Sequence, residues 1–245
     1  MQTKTSTDFS TIVKARRSVR VYDQNHAFDH SSVERALKLA ILAPNSSNMQ
    51  LWEFHRIKTE EKRKELARCC LGQSAARTAS EMVVFVTRHD KWKKRAAFNL
   101  DLVKKAYDNA PNEKKARQAV SYYQKLIPMF YRRDWTGLSF LLKKLAVFLI
   151  GIKKPMIREV SAAHQKVVMH KSAALAAMTF MYAMKAEGYD TCPMEGFDSK
   201  RIKKMLKLPK GTEINMVVSC GKGLPEGIYS ERVRLPFEEV VKEEK

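Results

Sequence analysis

Three arginine side chains and one serine hydroxyl lie within five residues near the start of the chain, at Arg16, Arg17, Ser18 and Arg20. Three guanidinium groups at such short spacing repel one another in water. Phosphate oxygens match the parallel N–H donors of the planar arginine guanidinium. If Val19 faces inward on an extended segment, Ser18 and Arg20 share the opposite face. The stretch therefore indicates an anion site, and a solvated basic turn is the alternative that this stretch alone leaves open.

Three further stretches could contribute to the same site. They are the polar loop Asn45-Ser46-Ser47-Asn48-Met49-Gln50, the segment Cys192-Pro193-Met194-Glu195-Gly196-Phe197-Asp198, and the segment Arg232-Val233-Arg234-Leu235-Pro236. Each stretch alone is a weak signal. Together, in this order and spacing, the four stretches resemble the FMN-dependent nitroreductase family, over residues 8–90 and 160–240.

The resemblance implies a fold and an organisation for the chain. The fold class is α+β, with a central, mostly antiparallel β-sheet flanked by helices, in a domain-sharing homodimer. Residues 1–245 would form a single nitroreductase-like domain. Residues 91–160 would be a basic and apolar helical segment inserted within it; we call it the central segment.

The resemblance also implies the residues that bind FMN. The phosphate would be held by Arg16, Ser18, Arg232 and Arg234, with Arg17 beside them but turned elsewhere. Arg20 matches a basic position near the N1 and O2 edge of the ring. The polar loop would reach FMN, partly across the subunit boundary, through Asn45, Ser46, Asn48 and Gln50. The segment over the ring would be Pro193, Met194, Glu195 and Gly196.

No catalytic side chain is assigned, because the flavin carries the chemistry. A backbone N–H near Glu195 would face the flavin N5. The chain departs from the family where an asparagine and, a few residues on, a base commonly hold the pyrimidine edge of the ring. Gly72 and Ala75 occupy those places, so Gln73 or Arg77 would have to substitute.

The implied function is an oxidoreductase that takes a hydride from NAD(P)H and reduces a second acceptor, such as a quinone or a nitroaromatic, by a ping-pong mechanism. A specialised flavin-dependent dehydrogenase or dehalogenase of the same superfamily is one alternative. The other is a basic protein that binds nucleic acid or an anionic membrane surface. A net charge of +20, from 46 Lys and Arg against 26 Asp and Glu, favours anionic partners without choosing among them.

Nucleic acid is the weaker of these partners, because the aromatic residues gather in the central segment and do not alternate with the basic ones. The four cysteines show neither metal-ligand spacing nor a disulfide framework. The N-terminal residues lack the apolar core of a secretory signal, so we expect a cytoplasmic protein, with peripheral contact at the inner membrane face left open.

Periodicity predicts the elements that carry these stretches. Asp8 would cap a first helix, and Ser31 and Glu34 have the spacing of a capping box for a second one that stops at Pro44. A charged helix should run from Thr59 to about Cys70. The apolar run of residues 81–87 predicts a buried strand paired with residues 213–219, and residues 162–187 predict a core or dimer-interface helix closed by Gly188.

The central segment is basic and helix-favouring from Lys91 to Lys115, with a break at Pro111. A helical projection of residues 138–154 places Lys143, Lys144, Lys153 and Lys154 on one half. It places on the other half Leu141, Leu145, Phe148, Leu149 and Ile152. The lysine-free run is too short to span a bilayer. The apolar half should therefore either pack over the active site or the partner subunit, or lie on an anionic membrane surface.

Overall fold

A four-stranded antiparallel sheet lies at the centre of the protein, as the predicted fold class requires. The structure is a computed structural model that describes residues 8–110, 113–132 and 138–244, with the backbone alone for residues 138–140 and 143. The strands are Trp52–Ile57 (β1), Glu81–Arg88 (β2), Asp190–Met194 (β3) and Thr212–Gly221 (β4). They lie in the order β1-β2-β4-β3, so that β1 and β3 form opposite edges.

The two middle strands confirm the predicted pair. The continuous apolar run of β2 is buried from Glu81 to Thr87, and Val84 lies opposite Val217 of β4. Burial on both faces explains why the run does not alternate with polar residues. The edge strand β3 contains Pro193, which lacks an N–H and is tolerated because only one side of an edge strand is paired.

Helices cover both faces of the sheet and form the central segment. In chain order they are Phe9–Ala15 (α1), His30–Ala40 (α2), Glu60–Cys69 (α3), Ser74–Arg77 (α4), Trp92–Ala106 (α5), Lys114–Ser121 (α6), Ile127–Tyr131 (α7), Leu138–Gly151 (α8), Ala162–Ala186 (α9), Ser199–Met205 (α10) and Phe237–Val240 (α11). Short 3₁₀ turns cover Ser46–Asn48, His89–Lys91 and Pro225–Gly227, and a π-helical turn covers Tyr122–Leu126.

The long helix α9 is the core helix that its small residues predicted. Ala173, Ala176, Ala177 and Phe180 are fully buried, and α9 packs against α2 and the sheet. Gly188 has φ +84, the left-handed conformation expected of a helix C-terminal cap. Among the described residues, α9 is also the one helix long and apolar enough to cross a bilayer, but half of its apolar window is buried inside the protein, as in a core helix.

The predicted capping box of α2 is wrong, and Asp29 caps the helix instead. The Asp29 carboxylate accepts a hydrogen bond from the backbone N–H of Ser31 at 2.8 Å. The helix begins at His30, so Ser31 is already inside the first turn, where its N–H needs an acceptor. Glu34 pairs with Lys38 one turn further on, at 2.8 Å. Similarly, Asp8 precedes α1 but its side chain forms no capping hydrogen bond.

In the central segment, α8 is shorter than the predicted amphipathic helix, and the described residues leave its apolar side chains exposed. It ends at Gly151, so the predicted stretch from Ile152 to Lys154 lies in the following turn. The predicted apolar half does not pack against the described protein, because five large side chains remain about half or more exposed: Leu141, Leu145, Phe148, Leu149 and Ile152. Pro111 lies outside the described residues, and so does the side chain of Lys143.

A buried ion pair joins β1, β2 and α2. Glu81 has no exposed surface, and its carboxylate accepts from Arg56 Nε at 2.7 Å and lies 2.6 Å from His30 Nδ1. Arg56 also donates to the backbone carbonyl of His30 at 2.6 Å. A buried carboxylate is costly unless such partners surround it, so this cluster fixes the position of α2 relative to the sheet.

Replacing the buried carboxylate should destabilise the protein. We expect Glu81→Gln to lower the free energy of unfolding by about 3 kcal/mol, because the Arg56 guanidinium, 21% exposed, then loses its counter-charge. Denaturant unfolding followed by circular dichroism measures the loss. Glu65→Gln, which breaks the exposed pair with Lys62, is the matched control and should cost less than about 1 kcal/mol. Equal losses would contradict this role for Glu81.

Candidate anion and cofactor site

The arginine stretch is extended and lies between the edge strand β3 and the turn at residues 225–227. Val19 is 2% exposed, and its backbone N–H donates to Thr191 of β3 at 3.2 Å. The backbone N–H of Arg20 donates to the carbonyl of Gly227 at 2.9 Å. With Val19 inside, Ser18 and Arg20 are directed toward the surface, as the alternation required.

Three guanidinium groups converge where α1 ends. Partial burial, together with the neighbouring charges of Arg232 and Arg234, lowers the pKa of Arg16. Arg232 donates to two carbonyls at the end of α1, that of Lys14 at 3.0 Å and that of Arg16, the residue after the helix, at 2.5 Å. No carboxylate of the described residues forms an ion pair with these three groups. The uncompensated positive charge fits a phosphate, which accepts several charge-assisted hydrogen bonds at once.

The other two arginines of the stretch contact the C-terminal segment. Arg17 donates to the carbonyl of Ser230 at 2.5 Å, so its guanidinium is engaged by the backbone of that segment. The Arg20 guanidinium lies over the ring of Tyr229, 5.0 Å from its centroid. This cation–π contact was not predicted, since a single tyrosine in the sequence carries no signal for it.

Gln73 joins α4 to the segment after β3. Its side-chain Nε2 donates to the carbonyl of Gly196 at 2.7 Å and to that of Cys70 at 3.1 Å. Pro193 and Met194 close β3, and Glu195 and Gly196 follow as exposed residues. Gln73 was predicted to contact the pyrimidine edge of the flavin. Because its NH₂ group is engaged within the protein, only Oε1 is left to face a ligand.

Gly72 and Ala75, which stand at the places of the family's pyrimidine-edge residues, have structural roles. Gly72 has φ +66, a conformation that glycine adopts without strain after the end of α3. Ala75 is a buried residue of α4 and packs in the core. Neither offers a polar side chain. Arg77, the other proposed substitute, is exposed and donates to Ser74 Oγ at 3.3 Å.

Cys192 lies on β3 close to the arginine cluster and was not predicted as part of it. Burial raises the pKa of its thiol, although the charges of Arg20 and Arg16 act in the opposite direction. The thiol is therefore protonated at neutral pH. A small uncharged side chain at this place adds no negative charge that would compete with an anion for the arginines.

The polar loop at residues 45–50 lies apart from the other three stretches. It precedes β1, at the edge of the sheet opposite β3, with β2 and β4 between. Within the loop, Asn45 Oδ1 accepts from the backbone N–H of Gln50 at 2.8 Å, and Asn48 Oδ1 accepts from Gln50 Nε2 at 3.2 Å. The backbone N–H of Ser46 donates to Ser172 Oγ of α9 at 3.3 Å. Within one chain, the arginine stretch, the segment after β3 and the C-terminal arginines therefore lie together. The polar loop lies at the opposite edge of the sheet.

The family model of the nitroreductase family matches residues 13–222. The chain belongs to the nitroreductase family. The match includes the central segment as well as the arginine stretch, the polar loop and β3. It ends before Arg232 and Arg234, which the structure nevertheless places beside Arg16.

Individual relatives agree with the nitroreductase assignment. The chain is 28% identical to Protein DrgA of Synechocystis sp. over 84% of this chain and 80% of that one. It is 26% identical to the Bacillus subtilis protein named "Putative NAD(P)H nitroreductase YodC", over 91% and 94% of the two chains. Among solved structures, it is similar to "a putative nitroreductase in complex with FMN" from Exiguobacterium sibiricum, with a TM-score of 0.68, 25% identity and coverage of 98% and 99%.

Removing the donor group of Gln73 should loosen the segment after β3. In Gln73→Glu a carboxylate faces the carbonyl oxygens of Gly196 and Cys70, so both lose their donor and are repelled. We expect amide hydrogen exchange of residues 194–198 to become several-fold faster. Gln24→Glu, an exposed change on the neighbouring turn, should leave that exchange unchanged. Identical exchange in both variants would refute the role of Gln73.

Proposed function

We propose that this protein is an FMN-dependent oxidoreductase that takes a hydride from NAD(P)H and passes reducing equivalents to a second small molecule, such as a quinone or a nitroaromatic. The proposal depends on one observation, the convergence of Arg16, Arg232 and Arg234 beside the edge strand β3. In the described chain these three arginines have no carboxylate partner. Family membership supports the same cofactor, since a relative of this fold binds FMN.

The side chains fit the cofactor. Arg16, Arg232, Arg234 and the hydroxyl of Ser18 would hold the phosphate, and Arg20 would lie toward the N1 and O2 edge of the ring. Met194, Glu195 and Gly196 would line the ring, where the absence of a side chain at Gly196 permits close approach of the backbone. Bound FMN would supply hydride transfer, which no side chain of the protein can perform.

The protein itself would then bind FMN, orient its ring and leave one ring face exposed to the substrates. A fixed guanidinium at Arg20 favours negative charge at the adjacent ring edge. Its contact with Tyr229 restricts where that charge lies. Because one ring face would serve both substrates, the oxidised nicotinamide must leave before the acceptor enters, which gives the ping-pong order.

We further propose that the functional unit is a homodimer. The polar loop lies across the sheet from the arginine cluster, so it would complete the site of the second subunit. The C-terminal segment supports this arrangement. It carries exposed apolar side chains at Val233, Leu235 and Phe237, of which Val233 is 80% exposed, and a second copy would cover them.

A membrane-surface position for the same enzyme is favoured by α8. Its apolar side chains, among them Leu145, Phe148 and Leu149, are exposed, and basic residues such as Lys144 and Lys153 lie on or just after the helix. Such a helix can lie in the interface of an anionic bilayer. This location, at the cytoplasmic face, would suit a lipid-soluble acceptor such as a quinone.

Anaerobic spectroscopy tests the proposed reaction. The purified protein should show a flavin absorption spectrum that bleaches on addition of NADH or NADPH and returns on addition of a quinone or a nitroaromatic. A specialised dehydrogenase or dehalogenase would bleach poorly with either nicotinamide. A protein that gains no flavin spectrum with added FMN, and binds nucleic acid with steep salt dependence, would contradict the proposal.

Loss of a phosphate-binding arginine should weaken FMN binding without abolishing it. We expect Arg16→Ala and Arg234→Ala each to raise the Kd for FMN by about 10- to 100-fold, since a charge-assisted hydrogen bond contributes about 1.5–3 kcal/mol. Fluorescence titration of the apoprotein measures the Kd. Arg68→Ala, which removes an exposed arginine from α3, is the control and should leave it unchanged. Equal effects at Arg68 and Arg16 would contradict the assignment.

Acidic substitutions on α8 should reduce binding to anionic membranes. Leu145→Glu and Phe148→Glu place a charge on the apolar surface, so each should weaken binding to phosphatidylglycerol vesicles on the order of tenfold. Vesicle flotation measures binding. Leu102→Glu on α5 makes the same kind of change at another exposed position of the central segment and should have little effect. Wild-type protein that does not float with the vesicles would refute the membrane proposal.

A further inference from the structure

The polar loop holds an unusual backbone conformation. Ser47, Asn48 and Gln50 have φ values of +56, +49 and +47. Residues with a Cβ atom are disfavoured in this left-handed region, and three of them within four positions persist only where the surrounding structure holds them there. Hydrogen bonds within the loop, such as that from the Gln50 N–H to Asn45 Oδ1, offset part of this strain, and contacts from outside the loop add to them.

The central segment supplies the contacts that hold it. The hydroxyl of Tyr123 donates to the carbonyl of Ser47 at 3.0 Å, and the hydroxyl of Tyr122 lies 2.5 Å from Ser47 Oγ. The amide of Asn99 on α5 donates to the carbonyl of Asn48 at 2.8 Å. Asn99 is 3% exposed, so this donor is buried and directed at the loop. All three hydrogen bonds end on two of the left-handed residues.

Two features of the central segment make these contacts possible. Tyr122 and Tyr123 begin the π-helical turn between α6 and α7, and such single turns are frequent at functional sites. Their rings pack edge to face, with centroids 5.3 Å apart, so that both hydroxyls reach Ser47. Below them, Met49 and Leu51 are buried in one apolar cluster with Ala96, Ile127 and Tyr131.

We propose that the central segment positions the polar loop for FMN binding, with Asn99, Tyr122 and Tyr123 as positioning residues. This inference rests on the proposed function. None of the three residues belongs to the predicted cofactor set; each acts on FMN through the backbone and hydroxyl of Ser47 and the backbone of Asn48. In the proposed homodimer, the central segment of one subunit thereby sets the FMN affinity of the other.

Tyrosine-to-phenylalanine variants test this positioning, because they remove the hydroxyl and keep the packed ring. Tyr122→Phe, Tyr123→Phe and Asn99→Leu should each speed amide hydrogen exchange of residues 46–50 in the apoprotein and raise the Kd for FMN about fivefold, the effect of one hydrogen bond. Tyr131→Phe is the matched control. That tyrosine is buried in the same cluster, and its hydroxyl makes no contact with the loop in the described chain.

A double-mutant cycle isolates one of the contacts. Ser47→Ala removes the hydroxyl that is hydrogen-bonded to Tyr122. In that background, adding Tyr122→Phe should raise the Kd for FMN no further. Unchanged exchange in all three positioning variants, or faster exchange with an unchanged Kd, would overturn the inference. Failure of the proposed function looks different, because wild-type protein would then bind no FMN while the exchange of residues 46–50 would still respond to the variants.

Discussion

Electrostatic repulsion among three guanidinium groups is the constraint on which the candidate site depends. Arg16, Arg232 and Arg234 come from opposite ends of the chain and meet where α1 ends, and partial burial together with the charges of Arg232 and Arg234 lowers the pKa of Arg16. Backbone carbonyls of Lys14 and Arg16 stabilise Arg232, but they carry only partial charge. An anion with several acceptor oxygens would offset the repulsion, which is why we propose that this end of the protein binds a phosphate-bearing ligand.

The sheet order determines how the rest of the site is assembled. The edge strand β3 lies beside the arginine stretch and delivers the Met194–Gly196 segment, whereas β1 and the polar loop lie at the opposite edge. No movement within one compact sheet can bring the two edges together. In the proposed homodimer a second copy of the chain would bring them together, with the exposed apolar C-terminal segment as its contact surface. The central segment would then act on the site through the loop that it contacts.

Elements with strong periodicity were predicted well from the sequence. The apolar run of β2 follows from burial on both faces and the small residues of α9 from its buried side, and both elements lie where expected. The arginine stretch was predicted because three like charges in five residues are unusual. The cap of α2 could not be predicted, because Asp29 and Ser31 are equally good N-cap residues by type. Only the position of the first helical residue, His30, shows that Asp29 is the cap.

Contacts between distant residues were beyond the reach of the sequence. Tyr229 under Arg20, Gln73 against Gly196 and Asn99 against Asn48 each join positions whose spacing carries no periodic signal. The left-handed backbone of Ser47 was equally hidden, since serine in a polar loop ordinarily adopts other conformations. Of the surroundings that the two-sided pattern of α8 suggested, the described part of one chain does not provide cover for its apolar side chains, and a partner subunit or a membrane surface stays a prediction.

Comparison of the Kd values for FMN and riboflavin tests the central claim most directly. The two ligands share the ring and the ribityl chain and differ in the phosphate alone. If the arginine cluster holds that phosphate, the apoprotein should bind FMN at least about 100-fold more tightly than riboflavin, as the loss of several charge-assisted hydrogen bonds requires. Similar Kd values for the two would mean that the three arginines do not bind the flavin phosphate, and would contradict this account of the site.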